Sequence, residues 1–291
     1  MGLLYALAAM ACIGSYMVPV RFSTVKGLHF FPLMGVGMVL TVLALGRSLE
    51  NLWQYPWWFW GSFLSGVLWA VGQCLANLAL EEISLTKGSV FFNFNTLLNI
   101  IIGLTVFREA SGWKAYAFLL FGSALLFSGA WSVGSVAAAP SKERSLKKGL
   151  LLSLSAGFFW GIYFVPLKAL ATWGPAGSIT QLDSLSGLIL GGILPALLIG
   201  LFNRNIRWNA RDIGWGVLTA FLWACGMICF LSAIQDIGIS RAVPIVNSSA
   251  IIYALWSLFV FKELPFSHWP KVLGSTLIVV MGAVLISFSG K

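Results

Sequence analysis

The chain of 291 residues is 59% hydrophobic and only 9% charged, with a mean hydropathy of +0.90. Neither a water-soluble domain nor a disordered chain can carry that composition, so it reads as an integral membrane protein. The net charge of +9 is scattered singly over the ends of apolar runs, which argues against nucleic acid as a partner and directs the cations to the lipid bilayer surface.

In chain order, apolar runs bounded by charges and turn formers predict ten transmembrane helices at about 3–20, 30–45, 57–80, 88–107, 114–136, 149–167, 181–201, 213–234, 242–261 and 270–289. The first run has no basic region before it and no distinct small-residue cleavage site, so it is expected to stay in place as a helix. A polar stretch at 140–148, Pro-Ser-Lys-Glu-Arg-Ser-Leu-Lys-Lys, is expected to link a first five-helix unit (1–139) to a second (149–291). Loops after the odd-numbered spans hold twelve Lys and Arg residues, and the other side holds six. By the positive-inside rule both termini of this multi-pass cell-membrane protein are then expected outside. Tryptophans at span ends, Trp53, Trp57, Trp58, Trp60, Trp113, Trp173, Trp208, Trp215 and Trp269, are expected to form interfacial belts.

The chain also repeats itself. Gly2–Arg21 set against Gly149–Lys168, an offset of 147, is identical at nine of twenty positions, and the last pair keeps its positive charge. At an offset of 154, Leu64–Glu109 and Leu218–Glu263 share Leu-Trp-Ala-x-Gly, Asn93 with Asn247, and a closing Val-Phe-basic-Glu. The common order of matches indicates duplication. With five spans per half, the second copy must enter the membrane from the opposite side, so the expected fold is all-α with two inverted five-helix repeats, as in secondary transporters.

Several segments resemble one family group: Tyr16-Met-Val-Pro-Val-Arg21 with Lys26-Gly-Leu-His-Phe-Phe31, Gly66-Val-Leu-Trp-Ala-Val-Gly-Gln73, Glu82-Ile-Ser-Leu-Thr-Lys-Gly88 and Phe107-Arg-Glu109. They are similar to the glucose/ribose porter and rhamnose symporter families of the drug/metabolite transporter superfamily, and the likeness covers the whole chain. It implies uptake of a sugar or related small polar solute coupled to a proton or sodium gradient, at a site between the halves. The superfamily also holds exporters of amino acids, drugs and other metabolites, and a non-transporting scaffold is a third reading. No phosphate loop, metal-ligand spacing or Ser/His/acid set occurs, so neither enzyme activity, a cofactor nor a metal is expected. The four cysteines, Cys12, Cys74, Cys225 and Cys229, read as packing residues.

The candidate solute-binding residues are Tyr16, Trp69, Gln73, Asn77, Asn95, Asn99, Tyr163, Trp223, Ser249 and Tyr253. Ser62, Gly66, Trp69, Gln73 and Asn77 recur every three or four residues, one stripe on one face; polar groups beside an indole suit a sugar's hydroxyls and its C–H face. Interhelical hydrogen bonding between packed spans is the alternative to a solute cavity, which is the favoured reading for Gln73, Asn77, Asn95 and Asn99 taken together. Gln73 and Asn77 become Met227 and Leu231 in the second half, so any polar cavity draws mainly on the first. Asn93 and Asn247 lie off the stripe and are expected to be structural. Pro19 with Arg21 and Pro166 with Lys168 are candidate hinge or gate residues, because proline frees a carbonyl at matched positions of both halves. Of nine carboxylates, Glu50, Glu143 and Asp212 fall in expected loops, Glu109 and Glu263 close spans four and nine, and Glu81, Glu82 and Asp236 sit at turns. Asp183 remains as the one acid expected inside the membrane and hence the candidate for coupling.

Overall fold

The computed structural model describes residues 1–83, 91–92, 94–109, 112–134, 145–174, 179–202, 208–260 and 266–288. Among them all regular structure is helical. The first half holds α1 (Gly2–Ser15), α2 (Val18–Phe22), α3 (Phe31–Ala44), α4 (Gly46–Trp53), α5 (Pro56–Glu82), α6 (Phe94–Thr105) and α7 (Trp113–Gly134). The second holds α8 (Leu146–Ile162), α9 (Val165–Trp173), α10 (Gln181–Phe202), α11 (Ala210–Ile237), α12 (Ile239–Asn247), α13 (Ala250–Phe259) and α14 (Trp269–Ser287). Among the described residues, six stretches are long and apolar enough to cross a membrane: Gly2–Phe22, Gly27–Ala44, Pro56–Ala79, Leu146–Trp173, Leu182–Phe202 and Ala210–Ile237. Phe94–Thr105 and Trp113–Gly129 are shorter apolar helices.

Sequence reading treated 46–56 as a plain connection. It contains α4, an amphipathic helix that buries Leu52 completely against α10. Trp53 stays exposed and stacks on Phe59 at 4.3 Å. Most of the end tryptophans are exposed as a belt requires, but Trp58 is buried in the core.

The two halves pack into each other. α1 lies along α11 and α5 along α8; α11 also packs on α3, and α10 on α5; α6 meets α8, and α12 meets α1; α7 pairs with α14. With little hydrophobic drive between helices in lipid, small residues that let backbones approach supply the contact. Gly14 sits against Ile252 and Gly161 against Leu98; Gly72 against Trp160 and Gly226 against Ile13. Gly37 sits against Val217 and Ala220, and Gly191 against Phe63 and Gly66; Gly2 against Ile237 and Gly149 against Ile83. Every one of these contacts has its counterpart at the positions matched by the 147 and 154 offsets. A side chain added at any of the eight would meet atoms closer than a real Cβ contact allows. The apolar core runs through both halves, from Ala6 and Ala9 to Ile245 and Val246.

Candidate functional site

The first helix of each half is interrupted at the same place. α1 ends at Ser15 and α2 begins at Val18, with Tyr16 and Met17 between them; α8 ends at Ile162 and α9 begins at Val165, with Tyr163 and Phe164 between them. Pro19 and Pro166 stand in the first turn of the restarted helices. Proline accepts that position because the first turn has no use for its missing N–H. A further break falls at Ser248–Ser249, between α12 and α13, where Pro244 precedes it and the Ser248 hydroxyl donates to the Pro244 carbonyl at 2.9 Å.

These breaks carry polar groups into the core. The Tyr16 hydroxyl donates to Gln73 Oε1 at 2.9 Å, and Gln73 Nε2 donates to Asn77 Oδ1 at 3.1 Å. All three are buried. At the matched place the hydrogen-bond partner of the Tyr163 hydroxyl among the described residues is the Met227 sulfur, at 3.9 Å. The asymmetry read from Gln73 and Met227 is therefore a real difference in hydrogen bonding.

Trp69 and Trp223, matched tryptophans at the midpoints of α5 and α11, lie against each other with ring centroids 4.2 Å apart and planes tilted by 36°. Phe31 lies 6.1 Å from Trp69, and the Trp160 indole N–H donates to the Trp69 carbonyl at 3.3 Å. The α5 stripe thus divides. Ser62 and Gly66 pack directly on α10 at Gly187, Leu188 and Gly191, whereas Gln73 and Asn77 join Tyr16.

Asn95 and Asn99 belong to a second polar group. Asn247 Nδ2 donates to Asn95 Oδ1 at 2.8 Å and to Thr96 Oγ1 at 2.9 Å, and Asn99 Nδ2 donates to the Asn95 carbonyl at 2.8 Å. Asn99 Oδ1 is buried with no hydrogen-bond partner among the described residues. Asn247, expected to be merely structural, is the residue that joins the halves here. Ser249 is buried at the α12–α13 break. Tyr253 lies on α13, its side chain outside the described residues, as is Asn93.

Two further ties join the halves at their ends. Lys168 Nζ lies 2.9 Å from Glu109 Oε1, with the Glu109 side chain 7% exposed. The same oxygen accepts from the Ile239 N–H at 2.9 Å, and the ammonium stands 5.8 Å from the Phe107 ring. Asp212 forms the other tie. Its Oδ1 accepts from the Ser23 hydroxyl and the Thr24 N–H, both at 2.8 Å, and its Oδ2 from the Thr24 hydroxyl at 2.7 Å. Sequence reading placed Asp212 in a loop. It is instead buried in the first turn of α11, and no local signal could reveal a partner nearly two hundred residues away. Lys26, next to this tie and outside the spans, is held below the usual lysine range by partial burial and then by Arg21, with Asp212 opposing.

Asp183 is buried, but close to a helix end. As the third residue of α10 it accepts from the Thr180 N–H at 2.8 Å and hydroxyl at 2.9 Å, while its own N–H points back to Thr180 Oγ1 at 3.3 Å. This is a capping box.

A cavity of about 320 Å³ lies between α9, α10 and α11, bordered by Phe164, Lys168, Thr172, Ser184, Leu231 and Gln235. Lys168 is the one predicted site residue that lines it. Phe164 forms part of the wall and packs against Tyr163, their ring centroids 3.9 Å apart and planes tilted by 36°.

Residues 147–288 match the EamA-like transporter family. The second half is thus similar to the EamA-like transporter domain of the drug/metabolite transporter superfamily. Relatives align over most of the chain at low identity. A "Putative sugar uptake protein" of Enterococcus faecalis is 22% identical over 237 residues, 78% of each chain. A protein of that name from Bacillus cereus is 23% identical over 232 residues, 77% of this chain and 74% of the other. The "Probable glucose uptake protein GlcU" of Priestia megaterium is 22% identical over 238 residues, 78% of this chain and 76% of the other. A protein crystal structure superposes on 99% of this chain and 96% of its own with a TM-score of 0.73 at 14% identity, which establishes a shared fold for the EamA-like half and its partner half.

Proposed function

We propose that the protein is a multi-pass membrane carrier that takes up a sugar or related small polar solute, built from ten spans as two inverted five-helix repeats. The EamA-like match and the sugar- and glucose-uptake names of relatives that align over three quarters of the chain support the transport of sugar-like solutes. The single observation that carries the mechanism is the matched interruption at Tyr16–Met17 and Tyr163–Phe164. Backbone breaks at corresponding depths of two related halves are where such carriers bind solute and bend.

In this reading the polar network of Tyr16, Gln73 and Asn77 and the second polar group of Asn95 and Asn99 on α6 supply donors and acceptors at the midplane, and the Trp69–Trp223 pair closes it. Tyr163, Ser249 and Tyr253 complete the candidate set. Pro19 and Pro166 act as hinges, and Arg21 and Lys168 as the cations beside them. Coupling to a proton or sodium gradient is assigned to Asp183, buried at the head of α10. The cell membrane is the location, with both termini outside.

Uptake of labelled hexoses, pentoses and polyols into proteoliposomes, with and without imposed proton and sodium gradients, tests the proposal. Saturable uptake of at least one sugar, raised by one of the gradients, is expected. Absence of uptake for the whole panel, or efflux-only movement of amino acids, would replace it with the exporter reading.

A further inference from the structure

The cavity at the ends of α9 and α11 has features that the midplane residues do not share. At about 320 Å³ it falls at the low end of the range for ligand pockets, about 300–1,000 Å³, which suits one sugar ring or a short polyol and not a drug-sized molecule. Its wall mixes Lys168, Thr172, Ser184 and Gln235 with Phe164 and Leu231. Three helices therefore each present a hydrogen-bonding group to one space, with apolar surface between them. The floor is aromatic: Phe164 sits directly on Tyr163, which in turn is at the break of the first span of the EamA-like half.

Charge decides what such a space accepts. Among the described residues Lys168 is the one cation in the wall, and it is already paired with Glu109, whose side chain is nearly buried and takes no part in the lining. A lysine has three rotatable donors, so one pairing leaves directed N–H groups for a solute while the net charge of the pair is zero. An anionic solute would approach Glu109 as well as Lys168. It would gain little from the ammonium and would lose hydration on entry.

We propose that this cavity is an entry site for solute and that it selects neutral polyhydroxylated solutes over anionic ones, because Glu109 cancels the charge of Lys168. The proposal rests on the carrier reading above and adds a location and a basis for selectivity that the midplane residues do not provide.

Ala171 lines the same cavity and is exposed, so a cysteine there reports occupancy. Cys12, Cys74, Cys225 and Cys229 are first replaced by Ser, Ala171→Cys is introduced, and labelling by a membrane-impermeant maleimide is timed in proteoliposomes. The probes are glucose, ribose, mannitol and glucuronate. At least one neutral probe at ten times its dissociation constant should slow labelling about tenfold by mass action, and glucuronate should not. In Glu109→Gln, which keeps an acceptor for the Ile239 N–H but removes the charge, glucuronate should become a protector. Thr172→Cys serves as the reporter if Ala171→Cys does not reach the membrane.

Brisk labelling that no neutral probe slows, a cysteine that never reacts at either position, or equal protection by glucuronate with Glu109 intact would overturn the site. Protection without uptake of the protecting solute would leave the site standing and remove the carrier reading. Uptake without protection would do the reverse.

Discussion

Tyr16 and Tyr163 occupy matched breaks yet bear different loads. Tyr16→Phe leaves the Gln73 carbonyl oxygen buried without its donor, whereas Tyr163→Phe removes only a long contact to a methionine sulfur. The first should therefore cost about 1–3 kcal/mol and the second well under about 1 kcal/mol. Thermal melting in one detergent checks this; equal losses would mean that the Tyr16–Gln73 bond is not the difference between the halves. Gln73→Met recreates the second-half pairing but strands the Asn77 amide, so adding Asn77→Leu should restore stability lost in the single variant while transport stays low. Recovery of transport together with stability would assign both residues to packing. The residue types of this network were legible in the α5 spacing, but their partners were not. Asn247 shows why: its side chain meets Asn95 about 150 positions away, and periodicity within one helix carries no information on contacts between helices.

At the scale of elements, the interrupted helices were legible because proline at matched positions has one physical meaning in each half. The amphipathic α4 was not, since its eight residues are shorter than any run an apolar window detects. The sequence puts Asp183 inside a span and Asp212 in a loop, yet both are buried in a first helical turn. Their hydrogen bonds separate them. Asp183 closes a local capping box with Thr180, and Asn preserves its acceptor, so Asp183→Asn should keep stability within about 1 kcal/mol of the parent. If the acid couples transport, this variant should retain counterflow and lose gradient-driven accumulation; unchanged accumulation would remove Asp183 from that role. Asp212 joins α11 to the segment after α2, and Asp212→Ala leaves three donors from Ser23 and Thr24 without their acceptor. A loss of about 1–3 kcal/mol is expected, measured by melting, and a neutral result would show that water or Asn209 replaces the carboxylate.

For the whole molecule, the duplication was legible from the two offsets, and the glycine contacts recur at the same offsets in space: Gly72 on Trp160 with Gly226 on Ile13, and Gly37 on Val217 with Gly191 on Phe63. Trp69 and Trp223, residues matched by the same offset, touch each other between the halves. What the sequence pattern could not supply is the placement of the cavity, because its wall is assembled from α9, α10 and α11, and periodicity within one helix says nothing of which helices meet. The central claim is that the second half enters the membrane from the side opposite to the first. Single cysteines placed at positions 142–148 and at 291, in a background without the native four, test it through labelling of intact cells by an impermeant maleimide. The account predicts that position 291 reacts from outside and that 142–148 react only after permeabilisation; reaction of 142–148 from outside while 291 stays protected would contradict it.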